Sequence, residues 1–213
     1  MTGLLLKDLY CLKQNVKGLI FILVIWGVAF LPQGNGGLLM IYLSMMVSAM
    51  YIFTLSSYDK QAKWDTYALS MPLTRANMVQ EKYIASILML IVSALVSTGL
   101  VILVWVIRTS GLSGEFLSAI AITLIQGAGM CLLYTALALP ISLWLGPEKG
   151  RYIPNVLFAA IFFAGVFVTQ TGFIGMIRSH GLWLFSVLAA GLAGVFFAAS
   201  YFISLAIYRG KGF

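Results

Sequence analysis

Charge is nearly absent from six long stretches of this chain, and most of the basic residues fall on alternate connections between them. A charge at mid-bilayer costs at least about 2.5 kcal/mol even on a lenient scale. Keeping charge out of six stretches of roughly 20 residues is therefore the mark of a chain whose solvent is lipid. Composition agrees: 62% of residues are hydrophobic and 9% are charged, against about 25% charged in a soluble domain. Mean hydropathy is +1.02. The spans read as Gly18–Leu31, Leu38–Tyr58, Tyr83–Ile107, Phe116–Ile141, Tyr152–Gln170 and Leu182–Tyr208. The first is short and is expected to continue to Gln33. Spans in lipid must be helices, because a lone strand would leave its backbone groups unpaired. The predicted fold is an all-α membrane protein with six transmembrane helices in a single domain, residues 1–213. The cluster Pro32-Gln33-Gly34-Asn35-Gly36-Gly37 predicts a tight turn between the first two spans.

Orientation follows from the cations. Of 13 lysines and arginines, only Arg108 and Arg178 fall on one side. The other side holds Lys7, Lys13, Lys17, Lys60, Lys63, Arg75, Lys82, Lys149, Arg151, Arg209 and Lys211. The positive-inside rule puts that side, with both termini, in the cytosol. Six spans give the same parity. The net charge of +7 is spread over several segments, so it fits topology and membrane lipid rather than nucleic acid. A cleavable signal peptide is not expected, because lysines precede the first span and the small-residue cleavage pattern is missing. Cys11 and Cys131 are placed too differently to predict a disulfide.

Residues 1–17 read as a separate interfacial helix. Leu5, Leu9, Leu12 and Val16 keep helical spacing, while Lys7, Asp8, Gln14 and Lys17 lie off that stripe. Such a helix would lie along the inner leaflet before the chain turns into the first span.

Residues 59–82 are too long for a simple transmembrane turn and predict a structured cytosolic loop. Trp64, Tyr67, Ala68 and Met71 share one helical face. Pro72 ends that helix, and Thr74 can cap the next one, which runs through Glu81 and Lys82 into the third span. An aromatic face of this kind fits a pocket on a partner, the inner leaflet, or the protein's own helix ends.

Several chemistries lack their residues. Ion-driven transporters place acids or histidine inside their spans, whereas Asp8, Asp59, Asp65, Glu81, Glu115 and Glu148 sit at span ends or in loops. No G-x-x-x-x-G-K-[ST] phosphate loop occurs. One histidine and two isolated cysteines do not make a usual metal site. Gly111-Leu112-Ser113-Gly114 and His180 superficially match rhomboid-type intramembrane serine proteases. The supporting Trp-Arg loop and His-x-x-x-Asn helix of those enzymes are missing, and Ser113 reads as a turn residue. Small-residue ridges at Ala190, Gly194 and Ala198, and at Gly127, Cys131 and Thr135, predict close helix packing, within one subunit or between two. Apolar residues in the outer loop, 172–181, suggest a short re-entrant or surface helix.

Taken together, the chain resembles the six-span permease subunits of type 2 ATP-binding-cassette exporters. The likeness rests on Leu6-Lys7-Asp8-Leu9 in an N-terminal amphipathic helix and on Lys63-Trp64-Asp65. It continues through Leu69-Ser70-Met71-Pro72-Leu73-Thr74-Arg75, Lys82-Tyr83, and a short basic loop with Glu148, Lys149 and Arg151. It is similar above all to small bacterial permeases for peptide toxins, such as phenol-soluble modulins, and bacteriocin-related peptides. The resemblance implies an exporter subunit in a bacterial cytoplasmic membrane, with a peptide-like substrate. It implies a second permease copy or a paralogue, and two ATPase subunits that bind ATP and Mg. This chain would then need no cofactor, carries no ATPase motif, and would not itself be an enzyme. Lys63, Trp64, Asp65, Tyr67, Ala68, Met71, Pro72, Leu73 and Arg75 would form the coupling element seated on an ATPase, with Glu148, Lys149 and Arg151 as a second contact. An intramembrane protease and a non-transporting peptide-immunity protein are the alternatives.

Overall fold

Five helices carry the architecture: α1 (Thr2–Phe30), α2 (Gly36–Gln61), α3 (Arg75–Thr109), α4 (Gly114–Leu145) and α5 (Leu182–Gly210). The computed structural model describes residues 2–30, 36–64, 74–109, 113–146 and 182–210, with Tyr152, Ile153, Asn155, Val156 and Ala159 between the last two. No strand occurs among the described residues. α2, α3, α4 and α5 are each long and apolar enough to cross a membrane, while α1 contributes the shorter apolar stretch Ile20–Phe30. These helices coincide with five of the six predicted spans. The body of the fifth span, the turn at Pro32–Asn35 and the outer loop lie outside the described residues.

Two boundaries change. α1 is unbroken from Thr2 to Phe30, so no turn separates an interfacial segment from the first apolar run. Nothing between Lys13 and Gly18 breaks helical hydrogen bonding strongly, since one glycine costs only about 1 kcal/mol. Within 59–82, the helix expected from Thr74 through Lys82 is present as the start of α3, and α2 also extends past its expected end at Tyr58. α2 runs on to Gln61 and α3 starts at Arg75, which narrows the connection to 62–74. Lys63 ends α2 in the left-handed region (φ 49°), with its N–H donating to the Lys60 carbonyl at 3.1 Å. The Thr74 hydroxyl accepts from the Asn77 N–H at 3.3 Å, which caps α3 as its sequence predicts.

The most extensive helix pair is α4 with α5, followed by α2 against α3 and α4. The buried core centres on α2, with Met40, Ile41, Met45 and Leu55 almost fully enclosed. Small residues set the spacing. A Cβ on Gly127 would meet Met45 Sδ at 2.9 Å, and one on Gly129 would meet Ala190 Cα at 3.2 Å. Gly127, Cys131 and Thr135 are all buried, so that predicted ridge does pack within the subunit. The ridge on α5 does so at Ala190 alone. Gly194 has open space where a Cβ would stand, and Ala198 is exposed. The inward line of α5 is instead Ser186, Ala193, Ser200 and Ser204.

Those serines explain a feature of α4. Pro140 lies inside that helix and has no N–H, so the carbonyl of Ala136, four residues earlier, loses its intrahelical donor. The Ser200 hydroxyl donates to that carbonyl at 2.5 Å. Tyr83 of α3 shares hydrogen bonds with Ser200 at 2.7 Å and Ser204 at 2.8 Å. One neutral network thus ties α3, α4 and α5 where the proline would otherwise leave a bare carbonyl in lipid.

Candidate functional site

Three helix ends carry adjacent acid–base pairs: Lys7-Asp8 near the start of α1, Asp59-Lys60 at the end of α2, and Glu81-Lys82 in the second turn of α3. The fold brings Lys7, Asp8, Asp59, Glu81 and Lys82 into one buried cluster. The Lys7 ammonium donates to Asp59 Oδ1 at 2.6 Å, and Lys82 donates to Asp59 Oδ2. Lys7 Nζ also lies 3.3 Å from Asp8 Oδ1 and 3.3 Å from Glu81 Oε1. Lys82 Nζ is 3.8 Å from Asp8 Oδ2.

Asp59 is the keystone, since one carboxylate accepts from two lysines on two other helices. Asp8 and Glu81 fare less well. Their side chains are 6% and 1% exposed, yet neither Asp8 oxygen nor Glu81 Oε1 makes a hydrogen bond among the described residues. They sit within ion-pair distance of the lysines without hydrogen-bond geometry. Burial alone would lower the Lys7 pKa. Asp59 beside it and hydrogen-bonded to it, then Glu81 and Asp8, instead raise it well above the ordinary lysine value. Lys7 therefore stays a cation, facing three carboxylates together with Lys82.

Trp64 closes this cluster on the side of the 62–74 connection. Its ring lies 4.8 Å from Lys7 Nζ, a cation–π distance. With Asp59, Met78, Glu81, Leu143 and Tyr208 it lines a cavity of about 30 Å³, and its indole N–H is buried without an acceptor among the described residues. Trp64 is thus turned toward the protein's own helices. The other helix ends meet at the same pole. Arg75 donates to the Arg209 carbonyl at 2.8 Å, joining the start of α3 to the last turn of α5. Lys60 reaches Gly146, the left-handed residue (φ 83°) that ends α4, where a helix dipole favours a cation.

Of the predicted site residues, Lys63, Trp64 and Arg75 are therefore placed at the charged pole. Asp65, Tyr67, Ala68, Met71, Pro72, Leu73, Glu148, Lys149 and Arg151 lie outside the described residues. The spacing argument missed Asp59 as a keystone and the inward turn of Lys7 and Asp8. The readable signal was the recurrence of an acid–base dipeptide at three helix ends. Ser113, the serine of the protease-like string, caps α4 by accepting from the Phe116 N–H at 3.3 Å, an ordinary turn role. His180 lies outside the described residues.

Four long apolar helices and a charged pole describe a multi-pass membrane protein, and one comparison decides its kind. A family model described as ABC-2 family transporter protein matches residues 3–209. The chain belongs to that family. Neither a curated protein nor a solved structure matches it. As an ABC-2 family member it is a membrane subunit of an ABC exporter. Such subunits generally work with ATPase subunits on separate chains. Every residue of the charged cluster falls inside the matched span.

Proposed function

We propose that this ABC-2 family protein couples nucleotide-driven motion of two separate ATPase subunits to export, through the connection that joins α2 to α3. The observation that carries the reading is the buried cluster that gathers residues from the two flanks of that connection. Asp59 and Trp64 stand at its start and Glu81 and Lys82 just beyond its end, and Lys7 binds both sides to α1. A push on residues 65–73 would reach three helices at once. Trp64 is the inner end of this device, and Tyr67, Ala68, Met71, Pro72 and Leu73 supply the face seated on an ATPase. Asp65 and Arg75 flank that face. Glu148, Lys149 and Arg151 form the second contact.

The working unit would pair two permeases, identical or paralogous, in a bacterial cytoplasmic membrane. Each would have six spans with both termini inside. The cargo would be an amphipathic or hydrophobic peptide, which suits a protein whose spans are rich in apolar side chains. ATP and Mg would be bound by the ATPases alone.

A paired measurement tests this. Tyr67→Ala with Met71→Ala should reduce co-purification of the ATPase. Asp59→Asn should leave co-purification intact and abolish the stimulation of ATP hydrolysis by cargo. If both variants retain cargo-stimulated hydrolysis and export, the connection is not the coupling element.

A further inference from the structure

A second cavity lies away from the charged pole, between the apolar half of α1 and the middle of α2 and α3. Its volume is about 360 Å³, within the range of small-ligand pockets. Leu23 and Trp26 form one wall, Val47 a second, and Met89 a third. Serines make the room: Ser44, Ser48 and Ser93 stand where larger side chains would fill the gap between the helices. Ile20, Val92 and Val96 line the cavity and are also exposed, each about half or more. The mouth therefore opens sideways, on the surfaces of α1 and α3 that carry Phe21, Val24, Ile91 and Leu95 to the outside. In a membrane-crossing protein those surfaces meet hydrocarbon.

The chemistry of the wall selects the occupant. The Ser44 hydroxyl donates to the Ile41 carbonyl at 2.8 Å and Ser48 to the Met45 carbonyl at 2.6 Å. Ser93 Oγ lies 2.9 Å from Ser48 Oγ and 3.0 Å from the Leu90 carbonyl. The serine hydroxyls in the wall are thus already spent on the protein, as is the Tyr51 hydroxyl, which donates to the Cys11 carbonyl at 3.3 Å. Water held there would lack the two to four polar partners it needs. An empty cavity of this size would forfeit dispersion contacts along its whole lining, and one less than half as large already takes up apolar ligands.

We propose that this cavity is a lipid site that holds one acyl chain of a bilayer phospholipid, entering between α1 and α3 and packed against Trp26, Val47 and Met89. The polarizable, flexible Met89 suits a chain that varies in length and unsaturation. This site is independent of the coupling reading.

Photocrosslinking in vesicles of defined phosphatidylcholine tests it on the full chain. A benzophenone amino acid is placed at Val47, inside the cavity, or at Leu95, on the outer surface of α3, and adducts are weighed by intact mass spectrometry. Both positions should gain the mass of one phospholipid in vesicles. After exhaustive washing into detergent, the Val47 adduct should persist and the Leu95 adduct should disappear. Ser48→Phe, or Ser93→Leu should that variant fold poorly, should lower the Val47 adduct about tenfold, as expected for ejecting two methylenes from apolar contact. The proposal is overturned if Val47 crosslinks only to a second copy or to another segment of this chain. It is equally overturned if no lipid adduct forms there, or if the adduct survives filling of the cavity.

Discussion

Two buried polar groups hold this bundle together, and they solve the same problem in opposite ways. The Tyr83–Ser200–Ser204 network is neutral, and its proline-orphaned carbonyl has a donor. The cluster at the pole is ionic, with three carboxyl groups against two ammoniums; burial pushes Glu81 up to about 7, and three carboxyl oxygens lack hydrogen bonds among the described residues. A satisfied neutral network in lipid fixes helix positions at little cost. A buried ionic cluster is a weak source of stability, because desolvation offsets much of the attraction. The difference separates a part built to stay put from a part able to change partners.

That contrast can be broken most forcefully at Asp59. Asp59→Asn removes the carboxylate shared by Lys7 and Lys82 and should destabilise the protein by about 3 kcal/mol, read as a lowered unfolding midpoint in detergent. Glu81→Gln should do the reverse or nothing, since burial already favours the neutral form of Glu81 and both lysines stay on Asp59. Equal losses from the two variants would show that Glu81 holds the lysines as firmly as Asp59 does. A smaller effect sharpens the packing side. Gly129→Ala should cost about 1–3 kcal/mol by pressing on the Ala190 backbone, whereas Gly194→Ala should stay within about 0.5 kcal/mol. The smallest effect tests the neutral network. Ser200→Ala should cost about 1 kcal/mol, and less in a Pro140→Ala background, where residue 140 again donates to Ala136. A double-mutant cycle reads that coupling directly.

Much of this was legible beforehand, for identifiable reasons. Long charge-free runs located five of the helices because lipid penalises charge over a fixed length. The Thr74 cap and the buried Gly127, Cys131 and Thr135 line followed from local spacing. The inward turn of Lys7, Asp8 and Trp64 did not. Periodicity groups residues on a face without saying whether that face meets lipid or protein. At this pole, polar residues turn in while Leu6 and Tyr10 turn out, the reverse of a soluble helix. The α5 ridge packs within the subunit only at Ala190, for a related reason. Glycine and alanine mark room for a neighbour, but serines that bond across helices chose the contact face. Asp59 was hidden because its partners lie 52 and 23 residues away.

The continuity of α1 carries one more consequence. A 29-residue helix is a rod about 43 Å long, with Lys7 near one tip and Trp26 near the other. A rod cannot absorb a displacement at one end by folding at a hinge. When its ammonium is dragged sideways, the far tip must swing, widening or narrowing the gap between α1 and its neighbours by several ångströms for only a modest tilt.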